Sequence, residues 1–207
     1  MSDTPALTFI FSLIILIFSV IIHEVSHGYA ALFLGDKTAQ DQGRLTLNPI
    51  KHIDPIGSII FPALSLLLGG FVFGWAKPVP FNPYNLRNRK WGEAIVAAAG
   101  PASNFLIALA FGLALRFSAA LAASAAAGLV ATIVLVNLML GTFNLIPIPP
   151  LDGSRLLLAV LPPRFENMRR TLDRYGIVII IVLIFILAPI ASIVVSWLFT
   201  LITGIGF

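Results

Sequence analysis

The chain of 207 residues is 58% hydrophobic and only 11% charged, and its mean hydropathy is +0.99. Soluble domains carry about 25% charged residues, so this composition excludes a water-soluble globular protein, and its low charge also excludes a disordered chain. The net charge is +4 and there is no cysteine, which excludes disulfides and thiolate ligands. The basic residues lie between apolar runs, where membrane topology explains them better than nucleic-acid binding does.

Four long apolar runs predict membrane-spanning helices, and the chain length allows one compact bundle of them. The predicted helices cover about residues 6–34, 93–117, 122–143 and 177–203. No linker or internal repeat divides the chain, so we expect a single domain over residues 1–207. The predicted fold class is an all-α multi-pass membrane protein.

A fifth apolar run, residues 57–75, is just long enough to span but is interrupted by Pro62 and a glycine pair. If it enters and leaves on one side, the loops 35–56, 76–92 and 150–176 share a face and hold 12 of the 13 basic residues. A spanning run would move the four basic residues of the second loop to the other side. The positive-inside rule therefore predicts a re-entrant hairpin, with the N-terminus outside and these loops in the cytoplasm.

The connection after the first predicted helix contains a short polar–apolar alternation. Residues 44–48 (Arg-Leu-Thr-Leu-Asn) alternate as a short membrane-associated β-strand would. Residues 76–83 contain three prolines and should be extended, because each proline disfavours a helical conformation in the residue before it.

Two of the three histidines stand four residues apart, in the sequence His23-Glu24-Val25-Ser26-His27. Positions i and i+4 of a helix lie on one face, so both imidazoles can bind one metal ion while Glu24 reaches a water beside it. Ionisable groups inside an apolar helix are costly in a membrane, and their default interpretation is functional. The alternative is structural, with histidines hydrogen-bonded between helices and a glutamate directed to the lipid interface.

A catalytic zinc site with two histidines needs a third protein ligand and an open position for water. The other acids of the chain are Asp3, Asp36, Asp41, Asp54, Glu93, Asp152, Glu166 and Asp173. Asp152 is favoured, because it follows a predicted membrane helix and a stretch with three prolines in four residues, which cannot be helical. In the re-entrant topology Asp152 arrives on the side of the two histidines, and in the spanning topology it does not.

Three ordered motifs resemble the site-2 protease family of intramembrane zinc metalloproteases. They are His23-Glu24-x-x-His27, residues 100–104 (Gly-Pro-Ala-Ser-Asn) and residues 144–153 (Asn-x-x-Pro-x-Pro-x-Leu-Asp-Gly). Residues 48–55 and 74–78 resemble the compact prokaryotic branch of that family. A chain of this length leaves no room for the PDZ or CBS domains that many members carry.

The resemblance implies one zinc ion per chain, bound by His23, His27 and Asp152, with Glu24 as the catalytic acid/base. It also makes Asn144 the candidate donor to the developing oxyanion. These roles agree with zinc chemistry, because bound zinc lowers the pKa of water to ~7 and a carboxylate can accept its proton. Four other polar residues are expected to be structural: Asn104 behind the site, Asn137 between helices, His52 in a loop and Asp54 in a turn.

The leading hypothesis is a zinc endopeptidase that hydrolyses peptide bonds in or near transmembrane segments of other proteins. We expect the strand at residues 44–48 to offer an edge for an unwound substrate, and the Pro78-Val79-Pro80 stretch to line or gate the cleft. Its expected partners are a transmembrane substrate and the lipid bilayer, without nucleic acid, and its expected location is a prokaryotic cell membrane. The alternative is a non-hydrolytic zinc-binding scaffold or a metal carrier. A carrier would place ionisable groups along a crossing path, whereas these gather at one depth. The sequence leaves the physiological substrate and the oligomeric state open.

Overall fold

The computed structural model describes residues 5–60, 64, 67, 75–161 and 166–206. The α-helices within these ranges are α1 (Pro5–Phe33), α2 (Thr38–Asp41), α3 (Arg89–Phe117), α4 (Ala119–Ala122), α5 (Ala127–Asn144), α6 (Asp152–Val160) and α7 (Glu166–Thr203). Four of them, α1, α3, α5 and α7, are long and apolar enough to cross a membrane. The predicted helical fold is confirmed over the described residues, with four helices that are candidates for membrane spans.

The helices begin at different residues from those predicted, for local reasons. The helix α3 begins at Arg89 rather than near residue 93, because the Asn88 side chain accepts a hydrogen bond from the Trp91 N–H (3.1 Å) and caps the helix. The helix α5 begins at Ala127, since the residues before it form the separate short helix α4 and a turn. The helix α7 begins at Glu166, so helical structure extends into the polar residues before the apolar run.

The helix α3 is central in the bundle and contacts α1, α5, α6 and α7. Buried apolar residues join three of these helices in one cluster: Ala108 of α3, Val134 and Leu138 of α5, and Val195 and Phe199 of α7. The helix α1 packs against both α3 and α5. This packing brings the helix with the two histidines against the helix that carries residues 100–104.

The connection from α1 to α3 is held at its start by Asp36, which is fully buried. Its Oδ1 accepts hydrogen bonds from the N–H and hydroxyl of Thr38 and from the Asn85 amide, and its Oδ2 accepts one from the Asn82 N–H (2.7 Å). Burial by itself would raise the pKa of this carboxyl, but the four donors outweigh burial and hold the pKa below its ordinary value of 3.8. Asp36 therefore ties the end of α1 to residues 82–85.

The β-strand predicted over residues 44–48 is wrong, because the described residues contain no strand. Nearby side chains take the backbone groups that a β-ladder would need. The Thr46 hydroxyl accepts a hydrogen bond from the Asn48 N–H (3.2 Å), and the His52 ring donates one to the Thr46 carbonyl (2.8 Å). Such local bonds compete with strand pairing. The predicted substrate edge at this position therefore does not form.

Residues 75–82 form an irregular segment without helical turns that lies against α1. The buried Arg44 guanidinium donates to the carbonyls of Lys77 (2.9 Å) and Pro78 (3.3 Å). The Lys77 N–H in turn donates to the His52 carbonyl (2.9 Å). The segment is thus fixed in place between α1 and the loop that follows α2.

The predicted re-entrant hairpin, residues 57–75, lies mostly outside the described residues. Its two ends are described and lie side by side. The Trp75 N–H donates to the Gly57 carbonyl (3.0 Å), and the Ser58 hydroxyl donates to the Trp75 carbonyl (2.9 Å).

Candidate active site

The two histidines of α1 lie one turn apart on the face that meets α3. Their Nε2 atoms are 3.1 Å apart, and both side chains are buried. Gly100 of α3 lies directly opposite, where a Cβ atom would overlap with Nε2 of His27 and lie 2.6 Å from Cε1 of His23. The absence of a side chain at this position is what lets the imidazoles lie against α3.

Asp152 reaches the same point from the other end of the chain. Its Oδ2 lies 3.0 Å from Nε2 of His23 and 3.3 Å from Nε2 of His27. Asp152 is the first residue of α6. The close turn before it is possible because Gly153 has no Cβ, an atom that would overlap with the Leu145 carbonyl. The three predicted metal ligands are therefore brought together.

The outward-facing ring nitrogens indicate which nitrogen of each histidine carries the hydrogen. Nδ1 of His27 lies 2.6 Å from the Val96 carbonyl oxygen, which can only accept, so Nδ1 is the donor and Nε2 of the neutral ring has the lone pair. Nδ1 of His23 lies 2.6 Å from Oδ1 of Asn104 in the same arrangement. With both rings neutral, the two Nε2 lone pairs and the Asp152 carboxylate converge, and one shared cation would satisfy all three acceptors at once.

The spacing of these three atoms fits zinc. Tetrahedral zinc with bonds of ~2.0–2.1 Å places its ligand atoms about 3.3 Å apart. The three donor atoms of His23, His27 and Asp152 lie 3.0 to 3.3 Å from one another. Two imidazoles and one carboxylate are also a donor set that zinc uses in hydrolytic sites.

Glu24, the predicted acid/base, lies beside this cluster and is half-buried. The ligand atoms of His23, Glu24 and His27 all lie within 4.8 Å of one another. Oε2 of Glu24 accepts a hydrogen bond from the Val79 N–H (2.8 Å). Segment 75–82, which was expected to line or gate the cleft, thus holds the carboxylate of the predicted base.

Asn144, the predicted oxyanion donor, is the last residue of α5, and within the described part of the chain its side chain bonds to its own helix rather than to the histidine–aspartate cluster. Its Nδ2 donates to the Leu140 carbonyl of its own helix (3.0 Å). His52 and Asp54 lie in the loop as expected. The His52 ring is bonded to Thr46, and the Asp54 carboxylate accepts the N–H groups of the turn that follows it.

The sequence analysis gave no role at the site to three groups that contribute to it. Gly100 and the Val96 carbonyl face the imidazoles, and the Val79 N–H binds Glu24. Gly100 and Asn104 repeat on α3 the four-residue spacing of the histidines on α1, which is a signal that could have indicated their facing positions. The two backbone contacts leave no such signal in the sequence.

Comparison with known proteins identifies the family. The profile of Peptidase family M50 matches residues 112–188. YwhC of Bacillus subtilis, which is named as a candidate zinc metalloprotease, is 38% identical over 177 residues, covering 82% of this chain and 78% of that protein. The chain belongs to peptidase family M50. This M50 peptidase is a zinc metalloprotease, and its resemblance to the site-2 proteases is confirmed.

Two further relatives agree with the assignment to M50. Rip2 of Mycolicibacterium smegmatis, another named candidate zinc metalloprotease, is 32% identical over 168 residues, covering 80% of this chain and 63% of that protein. Zinc metalloprotease MJ0392 of Methanocaldococcus jannaschii is 30% identical over 158 residues, covering 76% of this chain and 36% of that protein. No solved structure matches the chain.

Proposed function

We propose that this membrane zinc protease is an intramembrane endopeptidase whose zinc ligands are His23, His27 and Asp152 and whose catalytic base is Glu24. The observation that carries the proposal is the meeting of Oδ2 of Asp152 with both Nε2 atoms at 3.0 and 3.3 Å. A catalytic base must lie close to the atoms that bind the ion, and the Glu24 carboxylate lies within 4.8 Å of the ligand atoms of both histidines.

The residues of the chain divide the hydrolysis between them. Zinc, when bound, supplies an activated water with a pKa of ~7 and polarises the scissile carbonyl. Glu24 accepts a proton from the water while the water oxygen bonds to the carbonyl carbon. Glu24 then returns that proton to the amide nitrogen as the C–N bond breaks, so the leaving group departs as an amine.

Asn144 is proposed to stabilise the negative charge that develops on the carbonyl oxygen. Its Nδ2 carries two hydrogens, and the bond to the Leu140 carbonyl uses one of them. The second hydrogen is available to a substrate oxygen. A donor placed where charge develops contributes more in a water-poor site than it would in water.

The position of the site favours substrates that lie in the membrane. Both histidines are buried within α1, inside the candidate span Leu7–Phe33. A peptide bond in a transmembrane helix is shielded by side chains, and its carbonyl is already hydrogen-bonded. We therefore propose that substrates unwind locally at the site, and that helix-destabilising residues near the scissile bond favour cleavage.

We also propose that residues 57–75 are re-entrant and that the site faces the cytoplasm. The hydrogen bonds between Gly57, Ser58 and Trp75 support the first point, because ends that meet are expected of a segment that enters and leaves on one side. The charge asymmetry of the loops supports the second. Single cysteines at Lys51 and Ser124, labelled in intact cells with an impermeant thiol reagent, test the orientation. Labelling of Lys51→Cys by the external reagent would contradict the proposed orientation, because it would place this loop outside the cell.

The catalytic role of Glu24 is tested with Glu24→Gln. The purified variant should retain one zinc ion per chain but cleave a panel of transmembrane peptides about 10²–10⁴-fold more slowly, because it cannot accept the proton. A chelator should abolish cleavage by the wild type. Glu93→Gln, which makes the same chemical change on a different helix, α3, serves as the control and should cleave normally. Wild-type cleavage by zinc-loaded Glu24→Gln would contradict the mechanism.

A further inference from the structure

A chain of buried hydrogen bonds runs from His23 through α3 and α5 and back to α1. Nδ1 of His23 meets Oδ1 of Asn104 (2.6 Å), and Nδ2 of Asn104 donates to Oδ1 of Asn137 (2.9 Å). Nδ2 of Asn137 donates to the Ser19 hydroxyl (3.0 Å), one turn before His23 on α1. We call Asn104, Asn137 and Ser19 the amide relay. Asn104 and Asn137 are fully buried, and Ser19 is 4% exposed.

The direction of every bond in the amide relay follows from one backbone carbonyl. Nδ2 of Asn137 also donates to the carbonyl of Ile133 (2.9 Å), which can only accept. The NH2 group of Asn137 must therefore face Ile133, and its oxygen must face Asn104. Asn104 must then donate with its own NH2 group and turn its oxygen toward His23.

The final bond of the amide relay determines the state of His23. Since the Asn104 oxygen only accepts, Nδ1 of His23 must carry the hydrogen, and Nε2 of the neutral ring is left with the lone pair. That lone pair is the one directed to Asp152 and His27. His27 reaches the same state by a different route, through the backbone carbonyl of Val96.

We infer that the amide relay is a positioning device for the metal site, in which Asn104 and Asn137 hold His23 in the Nδ1–H tautomer and aim its Nε2 at the ion. This inference rests on the proposed function, because it takes His23 as a zinc ligand. The relay couples zinc affinity to the packing of α5 against α1 and α3. Asparagines that only joined the helices would stabilise the bundle and leave the metal site unchanged.

The test measures zinc affinity by competition with a chelator in detergent-solubilised protein. Asn104→Leu, which keeps the shape but not the acceptor, should weaken zinc binding about 10–100-fold, as loss of a histidine's outer partner does. Asn104→Asp should recover part of the affinity, because one carboxyl oxygen still accepts from Nδ1 although the donor to Oδ1 of Asn137 is lost. Asn137→Leu should weaken zinc binding less than Asn104→Leu does, since it frees the Asn104 amide without removing it.

Two controls separate positioning from stability. Ser103→Ala removes one hydrogen bond from the neighbouring residue of α3, to the Gly100 carbonyl, and should leave zinc affinity unchanged. In zinc-loaded protein with 15N-labelled histidine, NMR should show a slowly exchanging Nδ1–H for His23 and His27. Asn104→Leu should shift or broaden the His23 signal while leaving that of His27 in place.

The outcomes distinguish the inference from the proposed function. His23→Ala should abolish zinc binding at wild-type saturating concentrations, and retention of zinc would overturn the ligand assignment itself. If His23→Ala loses zinc but Asn104→Leu binds zinc within about twofold of wild type, or keeps the His23 Nδ1–H signal unchanged, the amide relay has no positioning role. If Asn104→Leu does not fold, the comparison of Asn137→Leu with Ser103→Ala decides the inference by the same two readouts.

Discussion

At the scale of single residues, the partners of each buried polar group separate structural groups from those of the metal site. Asp36 is surrounded by four donors and therefore needs no cation. Asp152 instead faces the Nε2 atoms of two imidazoles at 3.0 and 3.3 Å, which is the arrangement expected of the proposed metal ligands. Both residues are acids in loops or at helix ends, and only the hydrogen-bond partners distinguish them.

Replacing Asp36 by asparagine should destabilise the fold in a pH-dependent way. At pH 7 the variant should lose about 1–3 kcal/mol of unfolding free energy, because an NH2 group replaces an acceptor oxygen among donors. The folded pKa of Asp36 lies below the ordinary value of 3.8, so its stabilising effect is present above about pH 4 and is lost as the pH falls through the folded pKa. The stabilities of variant and wild type should therefore converge in acid.

Thermal unfolding in detergent at pH 7 and at acidic pH measures this difference. Asp41→Asn, at an exposed carboxylate of α2, is the matched control and should unfold as the wild type does at both pH values. Equal unfolding temperatures of Asp36→Asn and wild type at pH 7 would show that the four hydrogen bonds contribute no net stability.

At the scale of elements, the contact between α1 and α3 is a match between two four-residue spacings. His23 and His27 on one helix face Gly100 and Asn104 on the other. The spacing on α1 was predictable, since i and i+4 positions share a face of any helix. The boundaries of the loops and the absence of a strand at residues 44–48 were not, because side chains such as Thr46 and His52 compete for the backbone.

Gly100→Ala should separate the two helices at the metal site. The new Cβ would overlap with the His27 ring, so the imidazoles must shift and zinc affinity should fall at least about tenfold, as for other disturbances of a ligand's surroundings. Gly128→Ala, in α5, adds the same methyl group where nothing lies within 4 Å, and it should bind zinc normally. Chelator competition measures both variants, and equal affinities would contradict the tight contact.

At the scale of the whole molecule, the site joins parts of the chain that are far apart in sequence. His23 and Asp152 are separated by 129 positions, and α3 and α5 contribute the residues behind them. The position of Asp152 beside the histidines could be predicted from the sequence, because few acids follow a membrane helix and a proline-rich turn. The amide relay could not, since it depends on which faces of α1, α3 and α5 meet, and a single apolar sequence does not specify that.

The convergence of these distant segments on one zinc ion can be tested by replacing Asp152 with cysteine. Because the chain has no cysteine, X-ray absorption at the zinc edge should detect a new sulfur ligand at about 2.3 Å in Asp152→Cys and none in the wild type or in the exposed control Asp41→Cys. Zinc bound by Asp152→Cys without a sulfur neighbour would contradict the account.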